Sequence, residues 1–131
     1  MGGFKMAAKF YRCNHCGNLV GMIHASGAPI ICCGDPMEAL EPNTTEAAGE
    51  KHLPVIHVMG DHVTVEVGAV AHPMLPEHYI QWIYLETNKG GQRHELAPGG
   101  EPKTVFALAE GEKAVAAYAY CNLHGLWKTD V

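Results

Sequence analysis

Cys121 and His124 stand three residues apart in Tyr120-Cys121-Asn122-Leu123-His124-Gly125. A thiolate and an imidazole at that spacing can reach one metal ion from a turn. The run Lys113 to Tyr120 ahead of them reads as a β-strand, and Gly125 marks where the chain turns. Taken singly, such a pair is usually a buried cysteine beside a surface histidine. Three more histidines change its weight. His52, His72 and His78 lie in Glu50-Lys51-His52-Leu53-Pro54, Ala71-His72-Pro73-Met74 and Pro76-Glu77-His78-Tyr79. The step from His72 to His78 crosses two prolines, so it is a loop able to wrap round a metal, not a helix face or a continuous strand. Four imidazoles and one thiolate make five donors. That is one too many for four-coordinate zinc and leaves an octahedral metal one open position, for which iron is the natural ion. A thiolate ligand pushes electron density onto iron, and an open site of this kind invites a small redox ligand.

The other four cysteines fall within residues 13–33, as Cys13-Asn-His-Cys16-Gly17 and Cys32-Cys33-Gly34-Asp35-Pro36-Met37. Cys-x-x-Cys-Gly has the form of a metal knuckle, in which a tight turn aims two sulfurs at one point and glycine lets the backbone pass beneath them. Four thiolates suit zinc or iron. A thioredoxin-like reading is disfavoured because no βαβ pattern surrounds the motif. The adjacent pair Cys32-Cys33 is unlike the repeated Cys-x-x-Cys of most zinc ribbons. Between the two clusters, the spacing predicts a short hairpin through Leu19 to Ile31, turning near Ala25 to Pro29.

The elements that must position these donors are short and strand-like. Glu41 to Gly49, with Pro42, Asn43, Thr44 and Thr45, reads as a linker and places a boundary near residue 40. Beyond it, strands are predicted over Leu53–Val58, Val63–Val67, His78–Glu86, Thr104–Leu108, Lys113–Tyr120 and Leu126–Lys128, with a turn at Asn88-Lys89-Gly90-Gly91. Val63, Val65 and Val67 share one face. No stretch of twelve or more residues sustains a helical period. Six or seven short strands in the second part argue for an antiparallel β-sandwich with Greek-key or immunoglobulin-like connections. The whole is therefore mainly β, with a small four-cysteine domain at residues 1–40 followed by a sandwich at residues 41–131.

Charge and composition exclude several partners. The net charge of −5 divides as +1 over residues 1–40 and −6 over the remainder, and no basic run is present to neutralise a phosphate backbone, so nucleic acid is not an expected partner. No apolar stretch is long enough to span a membrane. The N-terminal Met1-Gly2-Gly3-Phe4-Lys5-Met6 lacks the apolar centre of a secretory signal, and five cysteines is an odd number. A cytoplasmic, reducing setting is the expectation. The remaining histidines, His15, His24, His57, His62 and His94, read as surface or satisfied core residues.

On these residues the chain resembles desulfoferrodoxin, the two-iron form of superoxide reductase, over nearly its whole length. The resemblance is carried by Cys13-x-x-Cys16 with Cys32-Cys33-Gly34-x-Pro36-Met37, by Glu50-Lys51-His52-x-Pro54, by His72-Pro73-Met74, by Glu77-His78, and by Cys121-Asn122-x-His124-Gly125. It implies a desulforedoxin-like domain holding one iron through Cys13, Cys16, Cys32 and Cys33. It also implies a second iron held equatorially by His52, His72, His78 and His124, with Cys121 axial. The implied activity is one-electron reduction of superoxide to hydrogen peroxide at the ferrous second site, which an external donor such as rubredoxin re-reduces. Lys51 is then expected to attract superoxide and order a water, and Glu50 to occupy the sixth position of the oxidised iron. A homodimer is also implied. The alternative is a non-catalytic iron electron carrier, or a structural metal-binding module. A closed structural site has no need of five donors with a lysine alongside.

Overall fold

The computed structural model describes residues 8–131 and divides into two compact units, Met1–Glu41 and Pro42–Val131. In the first, strands β1 (Phe10–Arg12), β2 (Leu19–Gly21) and β5 (Glu38–Ala39) form one antiparallel sheet in the order β2-β1-β5, while β3 (Ile31–Cys32) pairs with β4 (Asp35–Pro36). The hairpin expected through Leu19 to Ile31 does not form. Instead β2 folds back on β1 across the Cys13–Cys16 knuckle, in register Arg12↔Leu19, and β3 turns into β4 across Cys33-Gly34. Each cysteine pair is thus the tip of its own tight turn. Gly17 (φ 84°) and Gly34 (φ 80°) take the left-handed conformation these turns require, and Cys33 takes it too (φ 53°), an uncommon backbone for a residue with a β-carbon. Among the described residues of this unit only Phe10, Cys13 and Met37 are buried side chains. So small a core needs a staple, and four thiols at two turn tips are placed to supply it.

The second unit is a seven-stranded antiparallel sandwich of immunoglobulin-like form. One sheet has the order β10-β7-β6 and the other β12-β11-β8-β9, with β6 at Pro54–Met59, β7 at His62–Val67, β8 at Ile80–Thr87, β9 at Gly90–Glu95, β10 at Lys103–Ala107, β11 at Ala114–Cys121 and β12 at Gly125–Asp130. The alternation of β7 does what its pattern predicts: Val63, Val65 and Val67 are fully buried, facing Ile83 and Leu85 of β8 and Ala117, Ala119 and Cys121 of β11. Cys121 is therefore the last inward position of a core strand.

Two differences from the expected strands bear on function. The strand expected from His78 starts only at Ile80, because His78 closes a small loop with two backbone hydrogen bonds to Leu75, each 3.0 Å. Strand β9 was not predicted. Its residues, Gly-Gly-Gln-Arg-His-Glu, lack β-formers, but it is an edge strand pairing with β8 from Thr87↔Gly90, across the two-residue turn Asn88-Lys89. The region read as a linker is largely irregular but ends in a single helical turn, α1 (Gly49–His52), that the β-pattern had not revealed. No helix among the described residues is long and apolar enough to cross a membrane.

Candidate metal centres

The four sulfurs of Cys13, Cys16, Cys32 and Cys33 gather so that all lie within 4.8 Å of one another, with Cys16 Sγ 3.7 Å from Cys32 Sγ. All four cysteines are free thiols. The backbone N–H of Cys16 points at Cys13 Sγ and, despite burial, draws that thiol down to about 6. Cys33, its proton shared with Cys16 first and then with Cys13 and Cys32, is pushed up to about 12, and Cys32 is raised for the same reason. One sulfur ionises readily and its neighbours then resist. A cation at their centre removes that conflict, and a set of four thiolates fits tetrahedral iron or zinc.

In the second unit four imidazoles form a closed ring. Each edge meets the next face: His52–His72 at 4.7 Å between centroids, His72–His78 at 4.7 Å, His78–His124 at 5.1 Å and His124–His52 at 4.9 Å, with interplanar angles from 74° to 89°. Cys121 Sγ joins the donor nitrogens of His52, His72 and His78 within 4.8 Å, and lies 3.8 Å from Nδ1 of His124. All five donors predicted from sequence therefore meet at one place.

Different elements deliver them. Helical turn α1 buries His52 while leaving Glu50 and Lys51 exposed, and the His52 Nδ1–H donates to the Ala48 carbonyl at 2.7 Å. His72 follows β7, its amide donating to Val67 O (2.9 Å) and its Nδ1–H to Pro73 O (2.7 Å). These two carbonyls fix the tautomer of each ring, because a carbonyl can only accept. Nε2 of both rings therefore carries a lone pair, and the two atoms face each other at 3.2 Å. No hydrogen bond can bridge two bare lone pairs. A metal ion between them can, and burial, which lowers His72 to about 4 and also lowers His52 and His78, favours the neutral rings that such an ion needs. Nε2 of His78 is buried and without any hydrogen-bond partner. Such an orphaned acceptor is accounted for by a metal ligand bond. The donor set, four nitrogens and one sulfur, fits an ion of octahedral preference such as iron.

Cys121 sits where β11 ends, paired with Gly125 at the base of the β11–β12 turn, and His124 lies within that turn. Burial raises the Cys121 thiol, while the backbone amides of Leu123 and His124 favour its thiolate. The positive charge of Lys51 reaches both His52 and His78 and works against their protonation, while the Glu77 carboxylate favours protonation of His78. Lys51, one residue before His52 and exposed, is thus close enough for its charge to be felt at two of the imidazoles.

Trp127 was missed from sequence. Its ring stacks on His52 (4.8 Å, 26°), and its Nε1–H donates to the His124 carbonyl at 3.1 Å. Alternation could have found it, since Trp127 pairs with Ala119 and so shares the face of Cys121. Gly68 was missed as well. It lies backbone against backbone beneath Glu50, Lys51 and Leu53. The five histidines read as bland are satisfied or exposed: His15 pairs with Asp35, His57 with Glu66 and His62 with Asp61, His94 meets Thr104 and Phe106, and His24 is exposed.

Comparison with known proteins agrees with both centres. The family described as desulfoferrodoxin matches residues 44–130, and the desulfoferrodoxin N-terminal domain matches residues 6–40. A desulfoferrodoxin of Syntrophotalea carbinolica is 47% identical over 120 residues, covering 92% of this chain and 94% of its own. The solved superoxide reductase from Treponema pallidum is 42% identical, with a TM-score of 0.82, over 95% of this chain and all of that one. A one-iron superoxide reductase from Giardia intestinalis, 38% identical with a TM-score of 0.54, covers only 63% of this chain but 97% of its own. The four-cysteine cluster and the histidine–cysteine cluster correspond to the two iron centres of this group. The chain belongs to the desulfoferrodoxin family.

Proposed function

We propose that the protein is a superoxide reductase, an oxidoreductase that reduces superoxide by one electron to hydrogen peroxide at the histidine–cysteine iron. The observation that carries the reading is the donor set. Four imidazoles in a closed ring, with the Cys121 sulfur beside them, offer five donors, one fewer than an octahedral ion such as iron takes. The relatives named superoxide reductase support it. His52, His72, His78, His124 and Cys121 would hold this iron, and Cys13, Cys16, Cys32 and Cys33 the other. When bound, ferrous iron supplies the electron that superoxide takes up.

The chain's own groups do the rest. Burial lowers His52, His72 and His78 below the ordinary histidine value, so these three favour the neutral form that can act as a ligand. Burial raises the Cys121 thiol and the Leu123 and His124 amides work against that rise; bound to the iron as thiolate, this sulfur would donate electron density, while the core around it excludes water. Peroxide formation needs two protons. Lys51, exposed and electrostatically coupled to the ring, draws the anionic substrate onto a domain of negative net charge and holds a proton at Nζ. Glu50, exposed on the same helical turn, would offer its carboxylate as a further ligand to the iron of the oxidised protein.

The same reading takes residues 1–40 as the desulforedoxin-like domain and 41–131 as the catalytic domain, supported by the division at Glu41/Pro42. It takes the donor as a small rubredoxin-type protein, the assembly as a homodimer, and the setting as the cytoplasm, where five free thiols stay reduced. The test is metal analysis followed by anaerobic titration of the reduced protein with superoxide. Two irons per chain with distinct absorption, of which the histidine–cysteine iron is oxidised directly, support the proposal. Direct oxidation of the four-cysteine iron alone would instead favour an electron carrier.

A further inference from the structure

Asn122 is the first residue of the β11–β12 turn, next to Cys121, and its side chain reaches away from its own strand. Oδ1 accepts from the Tyr79 N–H at 3.0 Å, and Nδ2 donates to the Glu77 carbonyl at 3.0 Å. Its own N–H donates to Tyr79 O at 3.2 Å. Glu77 and Tyr79 flank His78, so one side chain grips the backbone on both sides of a single ligand. His78 needs that grip more than its neighbours do. Backbone carbonyls hold the other ring nitrogen of His52 and of His72, and the His124 carbonyl is held by Trp127. No protein hydrogen bond among the described residues holds the ring of His78, and its Nε2 is buried with no partner.

We propose that Asn122 is a positioning residue that fixes His78 relative to Cys121, tying the loop that carries one ligand to the strand end that carries another. The chemistry requires asparagine. Its amide offers one acceptor and one donor about 2 Å apart, matching the N–H and C=O presented on either side of His78. Aspartate keeps the acceptor for Tyr79 but sets an oxygen against the Glu77 carbonyl. Serine is too short to reach both. Because Asn122 adjoins Cys121, a shift of the loop changes the position of the imidazole against the sulfur, and hence the shape of the site. The inference rests on the histidine–cysteine cluster being the iron site.

The test uses the full chain with both irons bound and reduced, challenged with a ferrous chelator at neutral pH. Loss of an outer partner that orients a metal ligand typically weakens metal binding about 10–100-fold. In Asn122→Ala, iron is expected to leave the histidine–cysteine site faster by about that factor, with the four-cysteine iron leaving at the wild-type rate. The thiolate-to-iron absorption of the oxidised histidine–cysteine site should also move. Asn122→Asp, with one of the two side-chain bonds left, should lie between; it carries the test alone if Asn122→Ala does not accumulate. Unchanged release and absorption would overturn the inference, and so would equal loosening of both irons, which marks a general loss of stability. A wild-type chain that holds the iron but does not reduce superoxide would overturn the proposed function instead, leaving the release comparison intact.

Discussion

Replacing Gly68 by alanine tests whether the loops that deliver the histidines are as tightly joined as their contacts indicate. A β-carbon at position 68 would stand 2.6 Å from Glu50 O, 3.0 Å from the Lys51 carbonyl carbon and 3.1 Å from Leu53 O. All three are backbone atoms, so no side chain can swing aside. Restoring ordinary contact at 3.4 Å moves α1 and the turn before His72 apart by roughly 0.8 Å. The Val70 N–H bond to Glu50 O, 2.8 Å long, crosses the same gap and is weakened or lost. Overpacking costs about 1–3 kcal/mol and a lost backbone bond about 1 kcal/mol. For a domain of this size that lowers Tm by on the order of 10 °C. The displaced segment carries Glu50, Lys51 and His52 together, so the larger effect falls on chemistry. A misplacement near 1 Å can cost about 100-fold in rate. Differential scanning calorimetry and pulse-radiolysis rates on Gly68→Ala give both quantities. Wild-type Tm and a wild-type superoxide rate together would refute the view that α1 is held by this contact.

Three further outcomes follow from the same geometry. Lys51→Ala should slow reaction with superoxide, on the order of threefold at low salt, and flatten its dependence on ionic strength while both irons stay bound; stopped-flow rates identical to wild type across salt would remove Lys51 from the substrate's path. Cys121→Ser should cost superoxide chemistry far more than stability, since it changes the donor but barely changes volume, and a mutant with the wild-type rate would deny the thiolate its role. For the metal-free chain, His52, His72 and His78 all have folded pKa values below the ordinary 6.5, so the unfolded state binds more protons as pH falls. Their contribution to stability is then fully present above about pH 6.5 and is lost as pH falls toward 4, the value for His72. Urea unfolding of the chelator-treated protein between pH 7 and pH 4 would show this, and a pH-independent midpoint would contradict it.

The donors were legible because their chemistry is local. Proline-flanked histidines and turn-tip cysteines announce themselves by residue type and spacing, and the alternating valines of β7 assign the core face without help from the rest of the chain. What sequence did not show is what depends on pairing between distant segments. β9 has no intrinsic strand signal and exists because β8 offers it an edge. The expected Leu19–Ile31 hairpin lost to two shorter turns, since each cysteine pair must sit at a turn tip for its sulfurs to converge. The carbonyls of Ala48 and Pro73, the stacking of Trp127 and the close approach at Gly68 are likewise invisible in a linear reading, although they decide where the imidazoles point.

The most direct test of the central claim is product stoichiometry. Reduced protein with both irons bound is mixed with a known amount of superoxide under anaerobic conditions, and hydrogen peroxide and oxygen are measured together. Reduction yields one peroxide for every superoxide consumed, matched by oxidation of the histidine–cysteine iron, and no oxygen. Half as much peroxide accompanied by oxygen would mean dismutation, and would contradict the account.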